Sequence, residues 1–298
     1  MKKNADTRKV IDLRSRLANP SHYKDGQGSD TGRTPTRIIT ISSGKGGVGK
    51  TNIVANLGFA LCRFGKRVLI LDADLGLGNL DVLLGLTPEY NLSHVIKGEK
   101  KLSDIVVSGP GRLQILPAAS GIQEMTALTL EERYAIFGQL NEFMRDYDIM
   151  LIDTAAGISS NVLYFNINAD EILVVAAPEP TSITDAYALM KVLSVKYGSD
   201  HFKLVVNSVT SEQEADEVYR QISLVADRFL NIKIEFYGGI ALDENIKKGV
   251  RQQKVVSELA PLSKASRNFA ALARKITTTP LDESKRRTSH WGMIDVTS

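Results

Sequence analysis

Cysteine is almost missing from this chain, with Cys62 alone among 298 residues. A disulfide framework, or a cysteine-only metal cluster built by one subunit, is therefore excluded. Histidine is scarce as well, and His22, His94, His201 and His290 lie too far apart for metal-ligand spacing. No apolar run approaches the ~20 residues that span a bilayer. The start, Met1-Lys2-Lys3-Asn4, lacks the apolar stretch of a signal peptide. The expected address is the cytoplasm. An excess of one charge is also lacking: 37 basic against 34 acidic residues leave +3, too near balance to argue for general nucleic-acid binding.

What is present is an ordinary globular composition, 43% hydrophobic and 24% charged, on a chain long enough for a large α/β domain. Residues 1–36 differ from the rest. They hold a basic stretch with Arg8, Lys9, Arg14 and Arg16, then a linker rich in Gly, Ser, Asp and Thr. So few large apolar residues argue for a flexible extension. Val10, Ile11, Leu13 and Leu17 would still give a short helix one apolar stripe, so a partner-docking peptide is the second reading.

From Arg37 the texture changes. The runs Ile38–Ser42, Val68–Asp72, Leu113–Leu116, Ile149–Asp153, Ile172–Ala177, Lys203–Asn207 and Ile234–Gly238 read as strands. Most lack polar alternation, as expected when helices cover both faces. Amphipathic stretches separate them, among them Thr51–Phe64, Leu130–Arg145, Ser182–Lys196 and Glu212–Phe229. The alternation predicts an α/β fold, a mainly parallel, doubly wound sheet flanked by helices, over residues 37–276. Thr277-Thr278-Thr279-Pro280 stops the last helix, and 277–298 reads as a polar tail.

Gly44-Lys45-Gly46-Gly47-Val48-Gly49-Lys50-Thr51 completes the G-x-x-x-x-G-K-[ST] pattern, between the first strand and the helix after it. Glycines let the backbone curl so that its N–H groups point at phosphate oxygens. The helix N-terminus adds positive potential. Lys50 then reaches the β- and γ-phosphates, and the Thr51 hydroxyl ligates Mg²⁺. Lys45 is a second lysine inside the loop. It is either a solvated side chain or a cation that reaches a phosphate, its own or one held by a facing subunit.

Carboxylates sit where an open α/β sheet binds ligands, outside the carboxyl ends of its strands. Asp72 and Asp74 close the second strand in Leu71-Asp72-Ala73-Asp74-Leu75-Gly76-Leu77-Gly78-Asn79-Leu80-Asp81. They either hold water and metal or merely terminate the strand. Asp153 ends Ile149–Ile152 and precedes Thr154-Ala155-Ala156-Gly157, the Walker B pattern of a carboxylate near the metal. Neither an arginine finger nor a catalytic glutamine is identifiable, which suggests slow, switch-like turnover.

The loop from Lys45 to Thr51 resembles the deviant Walker A loop of the MinD/ParA ATPases, and the resemblance extends over about Arg37–Ile276. It implies ATP and Mg²⁺, a homodimer formed with ATP, and a Lys45 that reaches across the dimer to the partner's nucleotide. By the same match, Asp74 positions the attacking water and joins Thr51 and Asp153 at the metal, while Asn79 lies in the switch region. Asn207, in Asn207-Ser208-Val209, corresponds to the family's adenine-binding Asn; from the residues alone it is as readily a turn residue. The loop Ala177–Asp185 matches the family's dimer interface, and Thr181 or Ser182 is expected to cap the helix that follows. The stretch 239–254 resembles the loop near the ribose. At Asp153 the family has D-x-P-A-G or D-T-G-A-G, and Ala155 departs from both.

Within the family, the 71–85 segment and Ile152-Asp153-Thr154 look most like the regulators of flagellar number and placement (the FlhG, FleN or YlxH group). Partners implied are the GTPase FlhF, a flagellar switch-complex protein or a flagellar transcription regulator. The group's D-Q-A-x-x-L-R extension aligns with Arg8–Arg14, where only Leu13-Arg14 match. A partitioning ATPase that binds DNA non-specifically, or another spatial regulator, is the alternative, and DNA is the less expected partner. An iron–sulfur carrier of the superfamily would need a C-x-x-C pair that this chain does not have. MinD-like proteins also touch membranes through a C-terminal amphipathic helix. Phe269, Leu272, Ala273 and Ile276 form an apolar stripe that either packs on its own domain, the favoured reading, or makes a weak peripheral membrane contact at the inner face or pole.

Overall fold

The computed structural model describes residues 34–74, 78–118 and 130–281, with the side chains of 130–135 excepted. Its strands are β1 (Arg37–Ser43), β2 (Val68–Ala73), β3 (Val107–Ser108), β4 (Gln114–Leu116), β5 (Ile149–Ala156), β6 (Glu171–Ala176), β7 (His201–Val209) and β8 (Lys233–Ala241). They form one sheet in the order β3-β4-β2-β5-β1-β6-β7-β8. Every neighbouring pair is parallel except β3 with β4. The seven strands read from the sequence are all there, and β1, β2 and β5 are buried along nearly their whole length. Such two-sided burial explains why their sequences run apolar without alternation.

Helices of eight residues or more are, among the described residues, α1 (Lys50–Arg63), α2 (Leu130–Met144), α3 (Ser160–Asn168), α4 (Pro180–Tyr197), α5 (Glu212–Phe229), α6 (Glu244–Arg251) and α7 (Lys264–Thr278). One face of the sheet packs on α1 and α7, through Ile53, Leu57, Phe269 and Leu272 against Ile39, Ile41 and Ile70. The other face packs on α2 to α5. Phe269, Leu272, Ala273 and Ile276 all lie in the first of these cores, at 3% exposure or less. The stripe of α7 therefore packs on its own domain, and the membrane contact considered for it has no apolar face left to use. No described helix is long and apolar enough to cross a membrane. The basic extension, with its candidate docking helix, and the tail from residue 282 lie outside the described residues.

The order of the strands positions the site. Chain order reverses around β1: β5 and β2 lie on one side, β6 and β7 on the other. Such a switch point leaves a crevice at the carboxyl ends of the strands, where ligands of open α/β sheets bind. The Gly44–Thr51 loop rises from β1 into that crevice.

Candidate phosphate-binding site

Gly49 is the cap of α1, with φ +87° and ψ +21°. Gly47 is also left-handed, at φ +81°. These values favour glycine, so the pattern of the motif follows from backbone geometry. A Cβ on Gly44 would stand 2.0 Å from the Asp185 carbonyl oxygen, so the loop is pressed against α4. A Cβ on Gly49 would stand 2.4 Å from Asn207 Nδ2. Asn207 itself donates to the Val48 carbonyl at 2.7 Å. Ser43 donates its hydroxyl to the Lys45 carbonyl at 2.9 Å. The loop is braced from β1, β7 and α4, and the N-terminus of a 14-residue helix stands behind it. That combination concentrates positive potential where a phosphate would sit.

Lys50 and Asp153 meet in the floor of the site, Nζ to Oδ1 at 3.3 Å, with side chains 8% and 1% exposed. The Thr51 hydroxyl faces the same carboxyl and favours its charged form. Burial pushes the Asp153 carboxyl up, against the opposing pull of Lys50. Asp72 pairs with Asp153 in the β2–β5 register. Burial first, and then the Asp153 charge, push its carboxyl up to about 7. Asp74, just past the end of β2, adds its charge to both. Negative charge thus accumulates beside a phosphate-shaped loop, which suits a divalent cation. No group of three acidic, histidine or cysteine side chains among the described residues is arranged to hold a metal by itself. Mg²⁺ is bound through one or two carboxylates and completes its shell with phosphate oxygens and water rather than with an all-protein cage.

Lys45 and Lys50 have different surroundings. Lys45 is 37% exposed, and its Nζ reaches Glu179 Oε2 at 2.8 Å and Thr181 Oγ1 at 2.9 Å. Glu179 ends the loop between β6 and α4, and Thr181 lies in the first turn of α4, whose start is Pro180. The helix expected from Ser182 therefore begins two residues earlier. Proline takes its first turn, where no N–H is needed. Glu179 is the cap residue and makes no side-chain cap bond, while the Ser182 hydroxyl accepts the Ala177 N–H at 2.9 Å. The capping expected from Thr181 or Ser182 is not made. Lys45, Gly46, Gly47, Val48, Ala177, Pro178, Glu179, Ser208 and Leu242 line an open cleft of about 290 Å³. Ser208, at φ +61°, lies in the irregular end of β7 directly after Asn207. Leu242, 55% exposed, lies in the 239–254 stretch matched to the ribose loop. Of the candidate residues, the structure gathers Gly44 to Thr51, Asp74, Asp153 and Asn207 at one end of the sheet. Glu179 and Thr181 as partners of Lys45 are the additions, 134 and 136 residues away in sequence.

Comparison with known proteins agrees with this geometry. Residues 36–201 match the model of an AAA domain family. The chain is 44% identical over 252 residues to the antiactivator FleN of Pseudomonas aeruginosa, covering 85% of this chain and 90% of FleN. It is 32% identical over 264 residues to the flagellum site-determining protein YlxH of Helicobacter pylori, covering 88% and 87% of the two chains. Among solved structures, MinD of Pyrococcus horikoshii with Mg-ADP superposes with a TM-score of 0.67 at 27% identity, over 85% of this chain and 99% of that one. MinD in the MinC:MinD complex of Aquifex aeolicus gives 0.67 at 29%, over 83% and 99%. The chain belongs to the MinD/ParA family of Mg²⁺-dependent P-loop ATPases, in the branch of FleN and YlxH.

Proposed function

We propose that this protein is an ATP-driven switch, dimeric with ATP, that regulates the number or placement of flagella. The observation that carries the switch reading is the contrast between two lysines of one loop. Lys50 is buried on Asp153, whereas Lys45 is at the surface, beside the mouth of the cleft. A cation there serves a second chain better than its own. The flagellar assignment rests on the likeness to FleN and YlxH. Its partners would be the GTPase FlhF, a switch-complex protein or a transcription regulator of flagellar genes.

In this reading the N–H groups of residues 44–51 hold the β- and γ-phosphates of ATP, and Lys50 leaves Asp153 to join them. Thr51, Asp74 and Asp153 would hold Mg²⁺ with the phosphates, and the ion supplies charge neutralisation at the transferring phosphoryl group. Asp74 orients the attacking water. Lys45 of the facing subunit stabilises charge that develops in the transition state. Asn207, next to Ser208 of the cleft wall, contacts the adenine with what its brace on Val48 leaves free. Turnover is slow, below ~10 per second, because phosphoryl transfer here rests on positioning and charge.

Size exclusion of the full chain with ATP, ADP and no nucleotide tests the switch, together with phosphate release by wild type and Asp74→Ala. A dimer with ATP alone, trapped by Asp74→Ala with phosphate release abolished, is the expected result. A monomer under all three conditions would overturn it.

A further inference from the structure

Asp72 is a buried carboxylate, 2% exposed, with no part in the roles assigned to Asp74 and Asp153. What it holds is backbone. Its Oδ1 accepts the Asp74 N–H at 3.2 Å, and its Oδ2 accepts the Leu80 N–H at 3.5 Å. Leu80 opens the short helix Leu80–Leu84. Two N–H groups six residues apart therefore converge on one side chain. The returning chain also lies close over it. A methyl group on Gly78 would stand 2.9 Å from Asp72 Oδ2 and 2.6 Å from the Ala118 Cβ.

The frame beneath is the interior of the sheet. β2 lies between β4 and β5, with Asp72 in register with Asp153. A carboxyl group suits this task, because each of its two oxygens takes one of the N–H groups. An amide of the same shape offers one acceptor and one donor group, so one of the two N–H groups would face another N–H.

We infer that Asp72 is the positioning residue for Asp74: it ties the Asp74 and Leu80 N–H groups to one side chain and so sets where the Asp74 carboxylate stands beside the phosphate loop. The inference rests on the reading of Asp74 as the residue that orients water. Misplacement by about 1 Å at such a residue costs on the order of 100-fold in rate.

The test uses the full chain with Mg-ATP and compares wild type, Asp72→Asn, Gly78→Ala and Asp74→Ala. Phosphate release gives kcat, a fluorescent ATP analogue gives affinity, a Mg²⁺ titration gives metal dependence, and melting gives stability. Asp72→Asn is expected to lower kcat at least ~10-fold, with ATP affinity within ~3-fold and the Mg²⁺ midpoint unmoved. Gly78→Ala keeps the carboxylate and pushes the chain at residue 78 off it, so it should do the same, and it carries the test if Asp72→Asn does not fold. A lower melting temperature with kcat unchanged would make Asp72 structural only. A parallel loss of Mg²⁺ affinity would make it a metal ligand. Either result overturns the clamp. If Asp74→Ala hydrolyses ATP like wild type, the reading of Asp74 itself has failed. If Asp74→Ala is inactive while Asp72→Asn is normal, only the clamp has.

Discussion

One methyl group at Gly49 would strike the phosphate loop where a left-handed backbone and a close neighbour coincide. The residue is at φ +87°, and the new carbon would stand 2.4 Å from Asn207 Nδ2. Forcing a side chain into that backbone costs on the order of 1–3 kcal/mol, and Asn207 must also give up its bond to the Val48 carbonyl. Gly49→Ala is therefore expected to weaken ATP binding at least ~10-fold, since a ΔΔG of 1.4 kcal/mol is already tenfold. Calorimetric titration with Mg-ATP checks this, and an unchanged affinity would show that the loop does not cradle phosphate. At this scale the sequence was informative wherever function demands a local pattern. The glycines, Lys50 and Thr51 announce themselves within eight residues. The bond from Asn207 to Val48 spans 159 positions, and that from Lys45 to Glu179 spans 134. No local pattern encodes either, because both depend on which strands become neighbours.

Strands were legible by the length of their apolar runs, helices by how one-sided their burial is. β3, two residues at the antiparallel edge, has no run long enough to read. α3 was missed for another reason. Asn161 to Asn168 are all buried, so its sequence Ser-Asn-Val-Leu-Tyr-Phe-Asn-Ile-Asn carries no polar face and no helical stripe. Its one local signal is Ser159, whose hydroxyl caps the helix through the Val162 N–H. α7 shows the reverse: its stripe was plain, and only the object it packs against had to come from the structure. The far end of the sheet from the nucleotide site holds that helix in place. Arg37 of β1 grips Glu171 of β6 with two nitrogens, at 2.9 and 2.7 Å, and donates to the Thr279 carbonyl beyond α7 at 3.0 Å. Lys203 of β7 shares the same carboxylate. Glu171→Gln would leave two cations without their counter-charge at a site where Glu171 is only 9% exposed. Breaking such a pair costs about 3–5 kcal/mol, so melting of Glu171→Gln should fall by roughly 10 °C. The pH dependence gives the sign. Burial pushes the Glu171 carboxyl up, but the bonds from Arg37 and the charge of Lys203 outweigh it, and the group titrates below its ordinary 4.5. Its contribution is thus full above that value and is lost as pH falls through the folded one. Urea unfolding from pH 6 to 3 should show a steeper acid loss in wild type than in Glu171→Gln, and parallel curves would refute the staple.

For the whole molecule, the decisive quantity is the cost of moving Lys45 from its own chain to a partner's nucleotide. In the single chain it pairs with Glu179, whose side chain is 61% exposed, against 37% for the lysine. Pairs so open to water are worth about 0–1 kcal/mol. They cannot hold the monomer against dimerisation, because an interface burying a triphosphate offers the ammonium far stronger partners. The two ends of this exchange therefore predict unequal effects. Glu179→Gln should shift the ATP-dependent dimerisation midpoint by less than ~5-fold, the most that 1 kcal/mol allows. Lys45→Ala removes a cation from the transition state itself, where one such group is worth about 100- to 1000-fold in rate. Each protomer should still bind ATP within ~3-fold of wild type, because Lys50 and the loop N–H groups are intact. Sedimentation with ATP and phosphate release, run on both variants, separate the possibilities. Hydrolysis by Lys45→Ala at the wild-type rate would mean that the second lysine acts on no nucleotide, and the two-chain site would have to be abandoned. A large gain in dimerisation from Glu179→Gln would instead make the contact within one chain a true lock, stronger than its exposure to water permits.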